Sequence, residues 1–70
     1  MNTKEGMDRL IASNNKLIKS KVRYDQVIEA MMTQGLDCSM ALETVKQMED
    51  TIAVNKETIK YIGDTIDRQV

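Results

Sequence analysis

The feature that most constrains this chain is a stripe of residues from Ala41 to Ile66 that recurs in alternating steps of four and three. Ala41, Val45, Met48, Ile52, Ile59, Ile62 and Ile66 fill it, and Asn55 stands in the one polar place. This is the heptad seam of one long helix. Val45, Ile52, Ile59 and Ile66 take one core position, and Ala41, Met48, Asn55 and Ile62 take the other. No helix buries such a seam by itself, and the first half of the chain is the nearest cover.

The totals narrow the choice further. Seventy residues make one small domain, of a size at which disulfides, metal or a partner usually supplement the core. One cysteine excludes an internal disulfide, and the absence of histidine excludes the common zinc sets, so no metal or cofactor is expected. The sequence has no proline, 3% aromatic and 30% charged residues, which fits an all-α fold and argues against a sheet. Six methionines suit a surface that adapts to a partner, or fill irregular core gaps.

The net charge of −1 gives no global pull toward nucleic acid or acidic lipid. Residues 1–34 carry +2 and residues 35–70 carry −3. Asn2-Thr3-Lys4-Glu5 is not followed by an apolar run, and no stretch approaches the roughly 18 apolar residues of a membrane span. The expectation is a cytoplasmic protein without membrane contact, whose lone thiol suits a reducing compartment.

Along the chain, Asn2 with Glu5 reads as a capping-box-like start, weakened by Gly6. Met7, Leu10, Ile11, Leu17, Ile18, Tyr24, Ile28, Met31 and Met32 then lie mostly on one broad helical face. Val22 and Val27 fall off it on opposite sides, as ordinary exposed valines or as a second contact surface. Asn14, Lys21 and Asp25 interrupt the face. Lys21 and Asp25 are placed to pair at i, i+4, and polar residues in a seam either solvate its centre or fix its register.

Gly35 signals the end of this helix, because glycine takes the left-handed conformation cheaply. Asp37 or Ser39 caps the next helix, with Leu36 positioned as a hydrophobic staple. The expected architecture is a single domain over 1–70, a two-helix antiparallel hairpin with helix one at about 3–34, a turn at 35–37 and helix two at about 38–68. Counting outward from the turn, facing residues have numbers summing to about seventy-two. That sets Met31 against Ala41, Ile28 against Val45, Tyr24 against Met48, Lys21 against Ile52, Leu17 against Asn55, Leu10 against Ile62 and Met7 against Ile66. It leaves the polar members unmatched and the core thin, so a further helix or a second copy is expected to complete it.

Candidate chemistry is sparse. Lys16, Lys19, Lys21 and Arg23 form a basic run, but it shares one face only loosely and lacks stacking aromatics beyond Tyr24. A solvated helix face fits it better than a nucleic-acid patch. Arg9, Lys16 and Arg23 match Asp64, Glu57 and Asp50 in number, yet their helical angles turn all six away from the seam. Cys38 lies at the turn with no histidine or second cysteine, and reads as a plain small turn residue rather than a nucleophile. There is no Gly-rich phosphate loop and no Ser/His/Asp set, so an enzyme is not expected. Thr44, Thr51, Thr58 and Thr65 recur every seven residues beside the seam, a column of small side chains that lets another helix approach. Gly63 costs its helix about 1 kcal/mol relative to alanine, and either ends it early or permits close contact.

The turn Met31-Met32-Thr33-Gln34-Gly35-Leu36-Asp37 and the stretch Ile59-Lys60-Tyr61-Ile62-Gly63-Asp64 resemble the small helical-hairpin co-chaperones of type III secretion needle subunits (the YscE/PscE type). The likeness covers the whole chain in layout and these two patches in residues, with a spacing between them that is not identical. It implies a hairpin that binds a tetratricopeptide-type chaperone and helps keep the needle subunit unpolymerised, through helix two and its Tyr61 end. The expected partner-binding residues are Leu42, Val45, Met48, Ile52, Ile59, Tyr61, Ile62 and Ile66. The expected function is a small helical adaptor or co-chaperone, bound to another helical protein or to itself. The alternative is a homodimeric four-helix bundle that binds structured RNA through Lys16, Lys19 and Arg23, and a third possibility is a phage-type inhibitor of a host protein.

Overall fold

A computed structural model describes residues 2–68; Met1, Gln69 and Val70, the ends of the expected 1–70 domain, lie outside them. The fold is an all-α antiparallel hairpin of α1 (Thr3–Thr33) and α2 (Ser39–Arg68). Each boundary follows from local chemistry. The Asn2 side chain accepts from the Glu5 backbone N–H at 2.8 Å, satisfying one of the donors a helix start leaves free. At the other end Gly35 takes φ 73°. The Gly35 N–H donates to the Met32 carbonyl and the Leu36 N–H to the Met31 carbonyl, the paired bonds of a Schellman stop. The α2 start is capped from one residue further out than usual. Asp37 Oδ1 accepts from both the N–H and the hydroxyl of Ser39, while the Cys38 carbonyl accepts from the Leu42 N–H.

Leu36 is not a staple; it is exposed. Cys38 takes the interior place instead. Its side chain is buried with Ile28 and Val45, and Met31 and Ala41 pack against the cluster. The thiol lies 3.4 Å from the Leu36 carbonyl oxygen. Cys38 is thus a core residue that closes the turn end of the hairpin, where the sequence suggested only a small turn residue.

Near the turn the register follows the count outward, with Ile28 and Val45 in one buried cluster and Met31 and Ala41 packed against it. Asn14 meets Asn55, Lys21 meets Glu49, and Met7 lies against Gly63. These numbers sum to 69 or 70, and those of Ile28 with Val45 and Met31 with Ala41 to 73 and 72, as expected where each seam side chain sits between two residues of the facing helix. Leu36, Asp37 and Cys38 are non-helical. Further along the rod the two seam asparagines meet, and Asn55 Nδ2 donates to Asn14 Oδ1 at 3.0 Å. Asn14 is only 3% exposed, so the amide that looked unmatched in sequence is the most buried polar group described. Tyr24, in contrast, leaves the core stripe and is exposed.

Two helices make a thin core. The molecule is a rod of 55 × 15 × 15 Å with a radius of gyration of 16.2 Å, against about 11 Å for a compact chain of this length. Its accessible surface is 5619 Å², where a compact monomer of this mass has roughly 4,500 Å². Gly63 does not end α2, which runs on to Arg68.

Candidate docking face

The two long sides of the rod are chemically unlike. On one, Lys21 Nζ bridges to Asp25 at 2.9 Å and to Glu49 at 3.5 Å. Beside it Ile18, Ala53 and Lys56 line a shallow groove. The bond to Asp25, with the Glu49 charge adding, raises the Lys21 pKa above its ordinary value. This resolves Lys21 as a seam residue whose charge is turned out to two carboxylates.

The opposite side is built from residues one place before the innermost column of each helix, about 100° round the axis. On α1 these are Ser13, Ser20 and Val27, preceding Asn14, Lys21 and Ile28. On α2 they are Thr44, Thr51, Thr58 and Thr65, preceding Val45, Ile52, Ile59 and Ile66. Tyr24 borders the α1 column. Met40, Gln47, Val54 and Tyr61 border the α2 column, with Met40 84%, Val54 60% and Tyr61 72% exposed. None of these residues is charged, so the centre and the α2 flank of this side are charge-free; on the α1 flank Arg9, Lys16 and Arg23 stand as Met40, Gln47, Val54 and Tyr61 do on α2. Each threonine hydroxyl donates to the carbonyl four residues earlier, those of Met40, Gln47, Val54 and Tyr61, at 2.9–3.0 Å.

The eight residues expected to bind a partner do not share one surface. Val45 and Ile52 are buried against α1 and are used within the hairpin. Met48, Ile59, Ile62 and Ile66 are half-buried in the same interface. Leu42 and Tyr61 are exposed, on different sides of α2. Of the face just described, the sequence reading picks out the threonines, Tyr61 and Val27 but not the stripe that joins them. Its signal was legible: Met40, Thr44, Gln47, Thr51, Val54, Thr58, Tyr61 and Thr65 repeat the four-three stepping of the core seam. Half of them are threonine, which an apolar count does not register.

Arg9, Lys16 and Arg23 are exposed on the outer edge of α1, as are Glu43, Asp50, Glu57 and Asp64 on that of α2. Among the described residues the ion pairs are those of Lys21, and no group of His, Cys, Asp or Glu is placed to hold a metal ion. No described helix is long and apolar enough to cross a membrane. Compared with family models, curated proteins and solved structures, the chain matches none.

Proposed function

We propose that the chain is a small helical adaptor that works by docking, not catalysis, and that its docking surface is the uncharged side of the hairpin. The observation that carries this reading is the second heptad stripe on α2, with Met40, Val54 and Tyr61 the most exposed of its large apolar residues. An exposed apolar stripe of helical period fits another helix laid along it. Tyr61 anchors one end, since an aromatic ring carries much contact area at low entropic cost. The finer proposal, that the bound protein is a tetratricopeptide-type chaperone holding a type III secretion needle subunit, rests on the resemblance of the turn and of the Tyr61 region.

The test is co-expression with such a chaperone and needle subunit. A complex that copurifies, melts higher than the free chain, and is lost on Val54→Glu or Tyr61→Glu while both variants stay helical is the expected result. Copurification unaffected by both variants places the docking surface elsewhere. No complex at all removes the secretion proposal.

A further inference from the structure

We infer that the uncharged side of the hairpin is covered by the same side of a second copy, giving a symmetric four-helix dimer with both turns at one end. This rests on the reading of that side as a docking surface and names its occupant.

The argument starts from charge. Arg9, Lys16 and Arg23 repeat every seven residues along the outer edge of α1. Glu43, Asp50, Glu57 and Asp64 repeat at the same interval along the outer edge of α2. Within one chain the two columns lie on opposite edges of the rod and cannot meet. Two hairpins laid face to face about an axis parallel to the rod place α1 of each over α2 of the other, antiparallel. The basic edge of one copy then borders the acidic edge of its partner, on both sides of the dimer.

Height also agrees. The contacts across the hairpin join residues whose numbers sum to 69–73, so residues at one level sum to about 71, within one residue of the pairs that follow. Arg9 therefore comes level with Tyr61, Lys16 with Val54 and Arg23 with Gln47 of the other copy. Each cation falls between two successive carboxylates of the acidic column. The Lys16 stem lies over Val54, and the Arg9 guanidinium reaches the Tyr61 ring. Turning the second copy end for end would stack α1 on α1 and bring the basic columns together, so charge selects the arrangement with both turns at one end. Size fits as well. One side of a 55 × 15 Å rod offers roughly 800 Å², the area each partner gives to a stable interface of standard size.

The test uses two variants of the full chain. The first carries Arg9→Glu, Lys16→Glu and Arg23→Glu; the second carries Asp50→Lys, Glu57→Lys and Asp64→Lys. Sedimentation equilibrium of the unmodified chain should give a two-chain mass. Each variant alone should dissociate at least tenfold more readily, and an equimolar mixture should recover the dimer. Circular dichroism checks that both stay helical. If a triple variant unfolds, Lys16→Glu against Glu57→Lys gives the same comparison at one site. A spin label at Gln34→Cys, in a Cys38→Ala background, should report a short distance between the two turns.

A monomeric unmodified chain, variants that dimerise unchanged, a mixture that fails to associate, or turns about 45 Å apart would each overturn the inference. A chain that stays monomeric yet binds a helical protein through Val54 and Tyr61 sinks the dimer and keeps the adaptor. A dimer that no helical protein displaces does the reverse.

Discussion

Gly63 lies inside α2 with no backbone role that needs glycine. A β-carbon there would meet Met7 Sδ at 4.0 Å, an ordinary contact. Gly63→Ala should therefore stabilise the hairpin by about 1 kcal/mol, read as a higher urea midpoint at unchanged slope. Asp37 gives a pH-dependent case. Its bonds from the Ser39 hydroxyl and backbone hold its carboxyl below the usual carboxylate range. That contribution is fully present above the ordinary unfolded value of about 4, and is lost as pH falls through the lowered folded value. The stability difference between the unmodified chain and Asp37→Ala should shrink across that window, seen in melting temperatures taken between about pH 5 and pH 2. At this scale the sequence was a fair guide where a side chain acts on its own neighbourhood. Asn2, Gly35 and the Lys21–Asp25 pair do what their local spacing says. Tyr24 and Cys38 depart from their local reading because burial depends on what the facing helix covers, which no local rule contains.

The register between elements is held near the turn and again beyond the middle of the rod. Near the turn, Cys38 fills the space between Ile28 and Val45. Far from it, Asn14 and Asn55 bond across the seam. Sliding α2 by one heptad would leave the buried Asn14 amide facing an apolar residue, at the cost of an unsatisfied polar group. Asn14→Leu should thus destabilise by about 1–3 kcal/mol, because it orphans Asn55. Replacing both asparagines by leucine should be close to neutral in stability, yet should blur the register, with additional sets of amide resonances as the readout. A destabilisation equal in the single and double variants would show that the pair does not act as a unit. The presence of two long helices and their antiparallel course could be read from the seam and Gly35 alone. What each polar seam residue meets could not, since a count of levels does not say which of two facing residues a side chain reaches; Asn14 and Asn55 find each other.

As a whole molecule the hairpin has more surface than its mass warrants, and its two long sides divide the work. One carries charge around Lys21 and Glu49; the other carries none across its centre. The docking side was hidden from a hydrophobic count because serine and threonine fill much of it. The basic run on α1 takes on a different meaning if the dimer forms. Lys16 and Arg23 then border carboxylates of the other copy, and only Lys19 of that trio stays clear for an RNA backbone. Concentration should also matter: the melting temperature should rise with chain concentration, as it does when association and folding are linked. The threonine column bears on how readily such a side gives up water. All four hydroxyls are already engaged with their own helix, so the group left to meet a neighbour is the γ-methyl. To anything lying along it, that flank of α2 offers methyl groups and no free hydroxyl proton, and drying it costs less than its lettering suggests.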